Sequence, residues 1–534
     1  ALRVYTEADF PVDWAMTMNN LGGAYYSLPT GDRGANLQKA IACYQAALRV
    51  RTEADFPVEW AATMNNLAIA YRNLPTGDRG ANLQKAIDCY QAALRVYTEA
   101  DFPVQWAMTM NNLAVAYYSL PIGDRGANLQ KAIGCYEAAL RVYTEADFPV
   151  DWAGTMNNLG LAYWNLPIGD RGANLRKAIA CYQAALRVYT EADFPVDWAM
   201  TMNNLGLAYR NLPTGDRGAN LRKAIACYEA ALRVYTEADF PEDWARTMNN
   251  LAIAYRNLPT GDRGANLQKA IACYQAALRV YTEADFPVDW AMTMNNLGNA
   301  YSDLPTGDRG ANLQKAIDCY QAALRVYTEA DFPVQWATTM NNLGNAYRNL
   351  PIGDRGANLQ KAIDCYEAAL RVRTEADFPV AWATTMNNLG NAYYSLPTGD
   401  RGANLQQAIA CYQAALRVYT EADFPVEWAM TMNNLGIAYA NLLTGDQGAN
   451  LRKAIDCYQA ALRVRTEADF PVDWADTQYN LGLAWRDLAE ESGQAQMRET
   501  ARECFANALR GYRAAGLEQD AQDAAQRLQE LANR

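Results

Sequence analysis

Histidine is absent from all 534 residues, which removes imidazole as general base, pH switch or metal ligand. Cysteine is never paired: Cys43, Cys89, Cys135 and their counterparts down to Cys504 occur once per stretch of similar sequence, with no C-x-x-C and an odd total of 11. Zinc sites and disulfide frameworks need clustered or matched thiols. These cysteines therefore read as reduced core residues acting as small hydrophobes, which points to a cytoplasmic setting. An excess of positive charge is missing as well. The formal charge is −12 and the pI about 4.8, whereas a nucleic-acid ligand asks for a basic surface. No apolar run approaches the roughly 18 residues of a membrane span, so no membrane partner is expected.

Catalytic chemistry finds no foothold either. No Gly-Lys-Ser/Thr follows the recurrent Gly-Asp-Arg-Gly, as in Gly31-Asp32-Arg33-Gly34, so these are turns and not phosphate loops. Glu53 and Asp55 return almost unchanged in each stretch, whereas an active site is a single asymmetric constellation. The reading is a chain without enzymatic activity, metal or cofactor.

What is present is a period. Trp14 returns as Trp60, Trp106, Trp152 and onward to Trp474, always at a step of 46 residues. Self-similarity at such a step marks a stacked array whose units bury apolar surface only against their neighbours. Each unit resolves into two helices. The first is expected from about Val12 to Leu28, entered by Pro11, whose fixed φ suits the first helical position, with Asp13 favouring the positive end of the dipole. The Gly-Asp-Arg-Gly segment breaks it. The second starts near Ala35-Asn36 and carries Leu37, Ala40, Ile41, Tyr44, Ala47 and Leu48 at spacings of three and four, one apolar face. On the first helix, Trp14, Met18, Leu21, Tyr25 and Leu28 share a face read as core, while Asp13, Met16, Asn20, Gly23 and Ser27 share the opposite one.

Met18-x-x-Leu21-Gly22-x-x-Tyr25, followed by Ala40-x-x-x-Tyr44 and Ala47, resembles the tetratricopeptide pattern, with Met in place of Trp and Tyr in place of Phe. The unit is longer than that family's usual one, the extra residues falling in the turn and between Ala47 and Pro57. The wording Asn-Asn-Leu-Gly/Ala-x-Ala-Tyr is most similar to the long-repeat arrays of kinesin light chain and of bacterial signalling proteins, including those joined to caspase-like CHAT peptidase domains. The resemblance implies an all-α, right-handed superhelical solenoid of tandem helix-turn-helix units that binds protein or peptide in a concave groove lined by the first helices.

Positions that differ between copies are free of the common packing constraint. The Met16 position becomes Ala62, Gly154, Arg246 or Thr338; the Gly23 position becomes Ile69, Leu161 or Asn299; the Tyr26 position becomes Arg72, Trp164 or Arg210. Among them one position is constant: Asn20, Asn66, Asn112, Asn158, Asn204, Asn250, Asn296, Asn342, Asn388 and Asn434. An amide both donates and accepts, and in the resembled family similarly placed asparagines bind a peptide's backbone. The row is thus a candidate ladder for an extended segment; the alternative is that it bonds neighbouring helices. Arg210, Arg246 and Arg256 near Trp164 would suit an acidic or aromatic-bearing peptide, and Asn299, Asn345 and Asn391 form a later polar run.

The organisation read from the chain is the tail of a truncated repeat at 1–10, ten repeats at 11–470, an atypical last repeat at 471–516 and a capping helix at 517–534. Ala1-Leu2-Arg3-Val4-Tyr5 matches Ala47-Leu48-Arg49-Val50-Arg51, so a preceding segment is expected. The leading reading is a scaffold or sensor. Its alternatives are a spacer that self-associates end to end, and the regulatory part of a larger signalling or defence enzyme such as a CHAT protease.

Overall fold

The computed structural model describes residues 3–532. Among them lie twenty-three helices and no strand, and they group into two units, Ala1–Val280 and Tyr281–Arg534. The first unit carries helix pairs from Pro11–Ser27 with Arg33–Ala47 through Pro241–Asn257 with Arg263–Ala277. The second carries pairs from Pro287–Asp303 with Arg309–Ala323 through Pro471–Ser492 with Ala495–Ala514, then the single helix Glu518–Ala532. Within each unit every helix packs on the next, and the first helix of a pair (helix A, the second being helix B) also touches helix A of the following pair.

Local chemistry sets the boundaries. Helix A opens on proline, and the turn before it is fastened by side chains: Thr98 donates to Asp101 at 2.7 Å while the Asp101 amide donates to the Thr98 hydroxyl at 3.1 Å. Between the helices every letter of the Gly-Asp-Arg-Gly turn has a duty. Gly77 sits at φ +80°, a region that costs other residues energy. Asp78 caps helix B by accepting from the Ala81 amide at 2.6 Å. Asn82 donates to the Thr76 carbonyl at 2.9 Å, and the Arg79 guanidinium donates to the Arg72 carbonyl. Gly80 has no room for a side chain, since a Cβ would lie 2.8 Å from Ile122 Cγ2 of the next turn.

Helix B is covered from two sides and forms the centre of the array. Leu359, Ala362, Ile363 and Tyr366 meet Leu389, Ala392 and Leu396 of the next helix A and its end, and Cys411 of the next helix B. Leu359 and Tyr366 are fully buried, and burial of such a leucine contributes about 1.5–3 kcal/mol. The cysteines lie in this layer, buried at every position except the half-buried Cys135. Burial pushes the Cys227 thiol up to about 12.

Two packing details differ from the sequence reading. The Trp14 row was expected in the core, yet most of its members are half-buried; only Trp152, Trp244 and Trp474 are buried. Each ring lies at the edge under a guanidinium, as Arg95 over Trp60 at 5.2 Å. That guanidinium is held by a bidentate pair to Glu53 at 2.9 and 2.6 Å. The space the tryptophans were assigned is taken by the small Ala61, Ala107 and Ala153 rows, fully buried, which allow close approach of adjacent helices.

Candidate functional site

The asparagine row lies on helix A beside a second asparagine that periodicity alone did not single out. That preceding residue, as Asn65, Asn203 and Asn341, is buried. Its carboxamide oxygen gathers donors from the next repeat: Thr385 Oγ1 at 3.3 Å and Asn388 Nδ2 at 3.3 Å both donate to Asn341 Oδ1. The same pattern joins Asn66 to Asn19 at 3.4 Å, Asn204 to Asn157 at 3.3 Å, Asn250 to Asn203 at 3.4 Å and Asn342 to Asn295 at 3.4 Å. Asn434 instead donates to Asn391 at 3.4 Å. Buried amides are stable only when so paired. The adjacent Asn-Asn spelling therefore has a structural cause, with the first residue acting as acceptor for the second residue of the following copy. Asn112, Asn158, Asn204, Asn296, Asn342, Asn388 and Asn434 remain half-buried, Asn20 exposed, and Asn250 buried.

The variable positions surround this row. Met16, Met108, Met200, Met292 and Met430 are exposed, and so are Val12, Val104, Val196, Val288 and Val426 one turn earlier. Arg72 and Arg210 extend to the asparagine of the next repeat, donating to Asn112 and Asn250 at 3.1 Å. Arg246 pairs with Asp243, and the Arg256 carbonyl accepts from Arg263. The guanidinium over the Trp164 ring belongs to Arg171, at 5.5 Å. The arginines of this region are thus distributed along successive repeats.

Asn299, Asn345 and Asn391 each accept from the buried tyrosine of their own helix B, Tyr320, Tyr366 and Tyr412, at 2.8 Å. Where this position is Ile69 or Leu207, the hydroxyls of Tyr90 and Tyr228 are buried without a hydrogen-bond partner. The polar run satisfies the core as well as lining the face.

At the end of the second unit Asn480, 46 residues after Asn434, lines a cavity of about 340 Å³ with Asn433, Arg465, Asp476 and Tyr512. Burial raises the Asp476 carboxyl above its usual range, a bond from Tyr512 at 2.8 Å opposing the shift. Among the described residues no group of three or more Cys, Asp or Glu side chains could hold a metal, and no helix is long and apolar enough to cross a membrane.

Paired helices joined by recurring inter-repeat amide contacts, with a variable exposed stripe, define a tetratricopeptide-like repeat array. The Sel1 repeat model matches ten stretches, 15–49, 61–95, 107–141, 154–187, 199–233, 245–279, 291–325, 337–371, 383–417 and 429–463. They make up more than half of the sequence, and the chain belongs to the Sel1 repeat family. Each stretch starts inside helix A and ends just past helix B, as 199–233 does on Pro195–Asn211 and Arg217–Ala231.

Solved structures of similar architecture include a signal-transduction ATPase of the STAND type with a tetratricopeptide sensor from Pyrococcus horikoshii. It is 13% identical, with 91% of this chain and 74% of that chain covered and a TM-score of 0.47. The C-terminal part of a tetratricopeptide-containing protein from Cytophaga hutchinsonii is 15% identical, covering 62% and 99%, at 0.38. Yeast Tom70 is 11% identical, covering 97% and 96%, at 0.35. Comparison with curated proteins finds no match.

Proposed function

We propose that the chain is a protein-binding scaffold that holds an extended peptide segment along the exposed stripe of the A helices within a unit, acting by binding and not by catalysis. The observation that carries this reading is the division of labour within helix A. Residues that pack, such as Ala199, Thr201, Asn203 and Leu205, are buried and recur nearly unchanged. Residues that differ between copies, such as Met200 and Arg246, lie on an exposed or half-exposed face. Single exposed apolar residues are ordinary on proteins, but a methionine and valine stripe repeated along one face suits an adaptable protein contact.

In this reading the row formed by Asn20, Asn66, Asn112, Asn158, Asn204, Asn250, Asn296, Asn342, Asn388 and Asn434 steadies the segment, and Asn66, Asn204, Asn250, Asn342, Asn388 and Asn434 are themselves oriented by donating to an asparagine of the preceding repeat. Arg210, Arg246, Arg256 and Trp164 tune selectivity toward acidic or aromatic side chains. The scaffold serves within a larger signalling protein in the cytoplasm.

The test is capture of partners by the intact chain followed by paired substitutions. Met200→Glu and Asn204→Ala should lose the captured partner, while Lys223→Glu on helix B should retain it. Retention by all three variants would remove the stripe as the binding surface.

A further inference from the structure

One position has two identities among the repeats. At the end of helix B a tyrosine, as in Tyr97, Tyr189 and Tyr327, packs its ring on the following phenylalanine, Tyr97 on Phe102 at 5.7 Å, and donates to a carbonyl of the previous helix A, Tyr97 to Val58 at 3.3 Å. In three copies the residue is arginine: Arg51, Arg373 and Arg465. All three guanidinium groups turn inward to a threonine of the next helix A, reaching Thr63 at 3.3 Å, Thr385 at 2.9 Å and Thr477 at 3.1 Å.

A cation withdrawn from water needs a counter-charge, and eight residues downstream the sequence supplies one in two of the three copies. Arg465 pairs with Asp473 at 3.1 Å, and Arg51 feels the carboxylate of Glu59. In the third copy that place is Ala381. Arg373 has only hydroxyls, Thr385 and Thr338, the latter at 3.0 Å, and no ion pair among the described residues. Burial lowers its pKa with nothing opposing the shift. Beside it opens a notch of about 50 Å³, lined by Val334, Thr338, Val372, Arg373, Phe378 and Ala381; the equivalent space beside Arg465, about 200 Å³, has Asp473 in its wall. The notch adjoins the variable stripe, because Thr338 occupies the Met16 position.

We infer that the notch at Arg373 is a binding site for a single carboxylate of a peptide ligand, supplied by an acidic side chain or by a chain terminus. Two of the five guanidinium N–H donors are spent on threonines. The Nε–H and one N–H on each of Nη1 and Nη2 remain for the oxygens of a carboxylate. The apolar walls of Val334, Val372 and Phe378 provide no second cation, so a doubly charged tetrahedral phosphate is a poorer fit. The inference rests on the proposed function for the kind of ligand, but the notch is tested alone.

Saturation-transfer NMR on the intact chain would use four probes: a blocked tripeptide with a central aspartate, the same with asparagine, a tripeptide with a free terminal carboxylate, and inorganic phosphate. Binding of one or both carboxylate probes, without the asparagine one, is expected, and which binds identifies the source. Ala381→Asp supplies the internal counter-ion that Arg465 has and should weaken binding by about tenfold or more; Arg373→Leu should do the same. If Arg373→Leu unfolds, Ala381→Asp still decides. Failure of both carboxylates to bind, unchanged binding by Ala381→Asp, or tighter binding of phosphate would overturn the inference. Loss of a protein partner in stripe variants that still bind the tripeptide keeps the notch; the reverse keeps the stripe alone.

Discussion

The regular pair Pro195–Asn211 with Arg217–Ala231 and the final pair Pro471–Ser492 with Ala495–Ala514 use one plan under different constraints. In the regular pair the turn is held by Gly215 at φ +82° and by Asp216 capping Ala219 at 2.6 Å. In the final pair helix A runs on to 22 residues, stops at Gly493 with φ +70°, and helix B begins at Gln494 without a side-chain cap. What the final pair keeps is the outer link, Arg510 to Glu467 at 2.8 Å with the guanidinium over Trp474. What replaces a further repeat is the helix Glu518–Ala532, which lays Ala521 and Ala524 against Trp474, Ala475, Ala508 and Tyr512. The difference teaches that the elaborate turn serves stacking: where no further turn follows, helix A simply extends.

The largest expected contrast lies in the core. Leu221 is fully buried between helices, whereas Met497, the apolar residue in the first turn of the final Ala495–Ala514 helix, is half-buried. Leu221→Ala should cost about 2–5 kcal/mol in chemical denaturation, and Met497→Ala distinctly less. Equal losses would show that the end is packed as tightly as the middle. Next come the caps: Asp216→Ala should cost about 1 kcal/mol, while Gln494→Asp should raise the melting temperature by adding the missing cap. A comparable effect is expected inside the array, where Asn345→Leu leaves the Tyr366 hydroxyl as Leu207 leaves that of Tyr228. The loss should be about 1 kcal/mol, read by thermal unfolding.

The smallest effect belongs to the outer arginine–glutamate links, common to both regions. Hydrogen bonds from Arg233 hold the Glu191 carboxyl below its usual pKa, and Arg510 does the same for Glu467. A depressed folded pKa means that the contribution is complete above the ordinary glutamate pKa, about 4.3. It is lost as pH falls through the folded value. Melting temperature should accordingly be flat from neutral pH to about 5 and decline below about 4. These pairs are exposed and screened, so Glu191→Gln should flatten that decline only slightly.

Much of the fold was legible because local rules and tertiary needs coincide. Pro195 starts a helix, Gly215 permits the left-handed turn, Asp216 caps, and Leu221, Tyr228 and Cys227 repeat on one face. The site was legible in outline only. A helical wheel places Asn203 and Asn204 100° apart but does not show which one a neighbouring repeat will cover. It therefore did not reveal that Asn203 is the buried acceptor, that Arg171 and not Arg210 covers Trp164, or that Asn345 bonds Tyr366.

By itself, the sequence determined the period, the paired helices, the turn chemistry and the set of positions free to vary, since each depends on residues a few places apart. The tertiary structure alone decided which amides are spent between repeats, that the tryptophans sit at an edge beneath arginines, and that Arg373 reaches back to Thr338. These depend on groups 35 to 47 residues apart in sequence, brought within bonding distance by stacking one repeat on the next.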